Sequence, residues 1–153
     1  MYEIVLVLHS LLRWVVVLTA LLAVGRAIAG WSGRRAWTAA DGAAGGWFVT
    51  AMSTQFVLGL LLWAWLSPYG AAGLADVSAT MSNPTRRFWA VEHIVMMLVS
   101  VGVAHVGSAR VRRASGDARR HRAAAIFYGL ALLLALIAIP WAGVNARPLV
   151  RWF

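Results

Sequence analysis

The chain has 153 residues, 61% of them hydrophobic and only 12% charged, against about 25% charged in an ordinary soluble domain. That apolar excess is too large for a soluble core of one-domain length and suits a small integral membrane protein, whose lipid-facing surface is apolar too. The net charge of +9 comes from 14 basic residues, all arginine, and there is no cysteine, which excludes disulfides, thiolate metal sites and haem attached through Cys-x-x-Cys-His.

The first apolar run covers residues 4–28. It has no basic leader, contains Arg13 and is too long for a cleaved signal peptide, so we expect a retained span. His9 and Arg13 are four residues apart on it, one turn along the same helix face. The second run covers residues 46–66, carries Gln55 near its middle and stops at Ser67-Pro68. The connection that follows, "SPYGAAGLADVSATMSNP", is rich in small residues and reads as a lid or a plain loop. The third run, residues 85–106, follows Asn83-Pro84, a helix-start signal. It opens with "RRFWAVEHIVMM", which places Arg86, Arg87, Trp89, Glu92, His93, Met96 and Met97 close together; His105 lies further along. A basic connection, "ARVRRASGDARRHR", holds His121 and leads to the fourth run, residues 123–144.

Each run has the roughly 20 residues that a membrane-spanning helix needs. Within lipid a chain must satisfy its own backbone hydrogen bonds, so the spans are helices. Short connections make neighbouring helices antiparallel, and the expected architecture is all-α: one domain, an up-down four-helix bundle. Gly25, Ser53, Gly59, Gly102 and Ser108 are expected to let helices approach closely. Nine arginines (26, 34, 35, 110, 112, 113, 119, 120 and 122) lie in the first and third connections, and four (86, 87, 147 and 151) in the second connection and the C-terminal tail. The positive-inside rule puts the nine in the cytoplasm and both termini on the outer side. Because these arginines flank apolar runs, we assign the charge to the membrane surface rather than to nucleic acid.

Ionisable residues inside a membrane are costly, so each is a functional candidate. They are His9, Arg13, Glu92, His93 and His105, with Gln55 as a neutral member. His9 and His93 sit roughly 8–12 Å below the outer surface on two spans of the same direction. Neutral imidazoles at matched depth can ligate one haem iron from both sides. Arg13, Arg86 and Arg87 are candidate partners for the propionates. Trp89 and Met97 are candidates for packing on the macrocycle. Glu92 can pair with Arg13 or Arg87, or relay a proton, and Gln55 reads as helix glue or a quinone contact. Several other readings stay open. The histidines can be helix-to-helix hydrogen bonds. His9, His93 and Glu92 can form a two-His-one-carboxylate metal set, and Met96 and Met97 can join the histidines on copper. His105 has no histidine partner at its own depth and reads as a packing residue.

The stretches "LHSLLRW" (Leu8 to Trp14), "RRFWAVEHIVMM", "IPW" (Ile139 to Trp141) and "RPLVR" (Arg147 to Arg151) resemble short four-helix membrane proteins of bacteria labelled cytochrome b or b561-like. The resemblance covers all four spans. It implies a haem b on His9 and His93 in a multi-pass protein of the bacterial inner membrane, with electrons passing to or from quinol and other redox membrane proteins, and leaves room for a homo-oligomer. A full cytochrome b561 has two haems on four histidines, whereas this chain offers one pair. The expected function is therefore electron carriage by one haem near the outer face. The rivals are a non-redox membrane subunit or assembly factor, in which Arg13–Glu92 and His9–His93 contacts only fix helix register, and a small transporter using Glu92 and His93 as a proton relay.

Overall fold

The structure, a computed structural model, describes residues 1–141 and Asn145. The motif at Arg147 to Arg151 and the tail arginines lie outside the described residues. Four helical segments are long and apolar enough to cross a membrane: Tyr2–Ser32, Ala39–Leu66, Pro84–Arg113 and Asp117–Ala138. The first is α1. The second is α2 (Ala39–Leu61) continued by a π turn (Leu62–Leu66). Between the second and third lie a 3-10 turn (Ala71–Ala75) and α3 (Val77–Ser82). The third comprises α4 (Pro84–Arg87), a second π turn (Phe88–Glu92) and α5 (His93–Arg113), and the fourth is α6.

Local chemistry moves the ends of the expected spans. The second starts seven residues earlier than position 46, because Thr38 and Asp41 form a capping box that satisfies the first free N–H groups. The fourth starts at Asp117, after Gly116 with φ +89°, and ends at Ala138 rather than position 144. Ile139 is extended, as a residue before proline must be. His121, expected in the connection, is thereby drawn into α6, where it is fully buried.

α1 packs on α2 and α6, and α5 packs on α6 and α2, closing a ring of four. The contacts run in opposite directions along each neighbouring pair. His9 meets Gly59 while Arg26 meets Asp41; Ser100 meets Ala131 while His93 meets Ala138. The interior is built from small residues, among them Ala20, Ala23, Ala27, Ala44, Ala104, Ala124, Ala131 and Ala135, whereas Leu18, Leu21, Val57, Leu98, Leu133 and Ile137 face outward. Soluble proteins bury their large aliphatics. The inverse pattern suits helices that pack through small residues while lipid covers the large ones.

The close approaches match those expected in part: Gly59 lies against His9 and Ser53 meets His105. Gly25 and Gly102 have no neighbour where a β-carbon would stand. Other crowded positions are Gly30, whose β-carbon would overlap the His121 ring, Gly45, whose β-carbon would stand 2.9 Å from Tyr128, and Gly107, whose β-carbon would stand 2.5 Å from Phe127. A glycine signals a contact only if its face points inward, and the sequence does not display that face.

Candidate functional site

One end of the bundle is left open inside. Two cavities, of about 130 and 90 Å3, share His9, Gln55, Trp89, His93, Met97, Tyr2 and Tyr69 as walls and form two lobes beside the same pair of histidines. The larger lobe reaches α6 through Ala135 and continues to Ile139, with Arg13 and Ser10 on its α1 side. The smaller reaches α2 and its π turn through Phe56, Gly59, Leu62 and Trp63. His9 and His93 stand on α1 and α5, which are diagonal in the ring, so both lobes lie against the bundle axis.

Each histidine is held differently. His93 Nδ1 is 3.0 Å from the Ala138 carbonyl oxygen. A carbonyl only accepts, so Nδ1 carries the proton and Nε2 of the neutral ring keeps a free lone pair. Phe88 and Trp89 pack against the same ring, with centroids 5.7 and 5.5 Å away. His9 lies against Gly59, where a β-carbon would stand 3.0 Å from the ring. Its Nδ1 is buried with no hydrogen-bond partner among the described residues. Gln55 donates from Nε2 to the His9 backbone carbonyl at 2.9 Å, and its Oε1 is buried without a described partner. Buried polar atoms left unpaired cost about 1–3 kcal/mol each, and these two border the same cavity. Arg13 lines the larger lobe, donates to Ser10 Oγ at 3.3 Å and stacks over Trp14 at 5.6 Å.

The π turns shape this end. In the first, the Ser67 N–H reaches back to the Leu62 carbonyl at 2.8 Å; in the second, the His93 N–H reaches back to Phe88. Each turn takes in one extra residue, which rotates what precedes it by about 100° against an α-helix. Trp63 Nε1 donates to the Ala90 carbonyl at 2.9 Å, tying one π turn to the other. The rotation explains where the remaining candidates lie. Arg86, Arg87 and Glu92 line neither lobe. Arg87 pairs with Glu92 at 2.6 Å, five residues on, and donates to the Met81 carbonyl at 3.2 Å. Of the two arginines expected to reach Glu92, it is Arg87 that holds it. Arg86 and Arg87, expected near the mouth as propionate partners, thus stand outside the cavity lining.

The connection after α2 supplies walls rather than a loose loop: Ser67, Tyr69 and Gly70 reach the lobes. It is fastened by Asp76, which caps α3 at Ala79, and by the Thr80 hydroxyl, which donates to the Gly73 carbonyl at 2.5 Å. Tyr2, Trp63 and Tyr69 were missed in the sequence, where aromatics near span ends read as interface anchors. Only Trp63 had a signal, its place one helical turn past Gly59.

No group of three or more His, Asp or Glu side chains that could hold a metal occurs among the described residues. The His9, His93 and Glu92 set is thus not assembled, because Glu92 turns to Arg87. His105 Nε2 lies 2.9 Å from Ser53 Oγ, while His121 packs on Trp37 at 4.8 Å. Those two histidines have separate neighbours. Comparison with models of protein families, with curated proteins and with solved structures finds no match.

Proposed function

We propose that this protein is an integral membrane electron carrier that binds one haem b between His9 and His93. The observation that carries the reading is the bilobed cavity between these two side chains, with His93 fixed in the tautomer that leaves Nε2 available. Ligating histidines usually donate their second N–H to a carbonyl or carboxylate, which sets ring orientation and basicity. The Ala138 carbonyl supplies that partner for His93. The residues present fit the group: two imidazoles from diagonal helices, apolar and aromatic walls, and one arginine at the edge.

A haem bound there supplies one-electron transfer. The chain's own residues do the rest. His9 and His93 would hold the iron. Arg13 offers a planar cation that can take a carboxylate in two hydrogen bonds, and its charge favours an added electron nearby. Leu6, Trp89 and Met97 keep water from the site. Gln55 Oε1 gives an acceptor on the wall of both lobes, where a quinol hydroxyl can dock. The same reading puts the arginine-rich end of the bundle in the cytoplasm and the histidine cavity towards the outer face of a bacterial inner membrane.

The packing-only rival requires Glu92 to meet Arg13 and His9 to meet His93. Glu92 bonds Arg87 rather than Arg13, while the His93 bond to the Ala138 carbonyl joins two helices and suits either reading; what favours the haem reading is the open cavity beside both rings. The test is a dithionite-reduced minus air-oxidised absorption spectrum of the protein purified in detergent from cells supplied with haem. Sharp α and Soret bands at about one haem per chain, lost in His93→Ala, are expected. A flat spectrum from folded protein, or full haem in His93→Ala, would overturn the assignment.

A further inference from the structure

The opposite end of the bundle carries a second, chemically distinct concavity. Between the end of α5 and the start of α6 is a cleft of about 540 Å3 lined by Arg110, Arg113, Arg119 and Arg122, with Ile126 and Phe127 at its apolar side. The spacing makes it: Arg110 and Arg113 are three apart on α5, Arg119 and Arg122 three apart on α6, so each pair shares a face. The two helices are pressed together just below, where a β-carbon on Gly107 would stand 2.5 Å from the Phe127 side chain. None of the four arginines makes an ion pair or hydrogen bond among the described residues. The ion pairs seen among the described residues use Arg26, Arg35 and Arg87. Asp117 is the one acid in the whole stretch from α5 through α6. Four like charges converge on one cleft with almost nothing to balance them.

We propose that this cleft binds the headgroup of an anionic phospholipid, with an acyl chain lying along α6. Guanidinium groups match phosphate oxygens in bidentate geometry, and basic pockets between helices at a membrane surface hold anionic headgroups. The choice of a lipid over a free phosphate rests on what continues from the cleft. Ile126, Leu130, Leu133 and Ile137 are all exposed and follow one another at helical spacing down the outer face of α6. A soluble anion has no use for that stripe, whereas an acyl chain anchored at the arginines would cover it.

Native mass spectrometry of the detergent-solubilised protein tests this, with phosphatidylglycerol, phosphatidylcholine of the same chains, and inorganic phosphate as probes. Phosphatidylglycerol should bind first, one per chain. The variant R113Q/R122Q should weaken it about thirtyfold, and the charge-matched R34Q/R112Q by no more than about threefold. Where the double variant does not fold, R113Q and R122Q singly should each give about fivefold. Equal binding of phosphatidylcholine, equal losses in the two double variants, or displacement of phosphatidylglycerol by millimolar phosphate would each overturn the proposal. The outcome is independent of haem, since this cleft lies at the other end of the molecule.

Discussion

His9 and His121 both point into the bundle from α1 and α6, at opposite ends of it, and their surroundings differ in one respect. Beside His9 the helices stand apart, and the space is lined by Tyr2, Gln55, Trp89 and His93. Beside His121 there is none: Gly30 is in direct contact with the ring and Trp37 stacks on it at 4.8 Å. Both rings hold a buried nitrogen without a hydrogen-bond partner among the described residues. Burial and an unpaired nitrogen therefore do not single out a ligand. What His9 has and His121 lacks is room beside the nitrogen and a second imidazole on the wall of that space. The two ends also divide the backbone chemistry. The open end has both π turns, a local geometry frequent at functional sites, and the closed end has a capped helix start and a buried ion pair.

The largest effect should come from exchanging the two histidines for leucine one at a time. His9→Leu removes a proposed ligand and should abolish the haem spectrum. His121→Leu removes a polar ring whose nitrogens go unpaired, so an apolar group of similar size should leave stability within about 1 kcal/mol or raise it, with haem content unchanged. Haem titration and thermal unfolding of the two variants measure both quantities. Loss of haem in His121→Leu, or its retention in His9→Leu, would break the contrast between the ends.

The ion pairs sharpen the same contrast at smaller magnitude. At the closed end Asp41 is 4% exposed. It accepts from Arg26 at 2.9 Å and from the Thr38 amide and hydroxyl at 2.9 and 2.6 Å. At the open end Arg87 and Glu92 meet at 2.6 Å, but their side chains are 38% and 42% exposed. Removing one partner of a buried pair costs about 3–5 kcal/mol, and an exposed pair contributes about 0–1. Asp41→Ala should cost about 3 kcal/mol, at the lower end because Arg26 keeps some access to water. Glu92→Gln should cost under about 1 kcal/mol and leave haem content intact. Chemical unfolding followed by circular dichroism gives the two values. A haem-deficient Glu92→Gln would place that carboxylate within the site.

Much of this division was legible in the sequence. Apolar run length finds all four spans, but it places the start of α2 at position 46 because the polar cap Thr38-x-x-Asp41 lies outside the apolar run. Run length likewise carries the fourth span to position 144, past Pro140, where α6 in fact stops at Ala138. His9 and His93 could be matched by depth alone, since both spans run the same way. What the residues did not display is tertiary. A π turn is held by contacts from elsewhere, here Trp63 on the Ala90 carbonyl. Without it, Arg87 and Glu92 at five residues' separation would lie on different faces of a helix. The pairing of Glu92 and the absence of Arg86 and Arg87 from the cavity therefore depend on a turn that periodicity cannot find. The inward or outward aim of each glycine is hidden for the same reason, because it follows from which face the neighbouring helix covers.

Those glycines provide the finest comparison. Gly30 and Gly59 both lie against a histidine ring, and the same added methyl group should act differently on the two. At Gly30 the β-carbon would overlap the His121 ring, which is 0% exposed and backed by Trp37. The ring has nowhere to go, so α1 and α6 must separate, and Gly30→Ala should cost about 1–3 kcal/mol as overpacking does. At Gly59 the methyl stands 3.0 Å from the His9 ring, which borders open cavity and can tilt into it. Gly59→Ala should cost less than about 1 kcal/mol, the helix gaining from alanine part of what the contact loses. Its signature should be spectroscopic instead: a tilted axial imidazole shifts the low-spin haem signal in electron paramagnetic resonance and the midpoint potential. An unfolding cost at Gly59 equal to that at Gly30, with the haem signal unmoved, would mean that the His9 ring is as tightly enclosed as His121 and that the cavity is not free for it to move into.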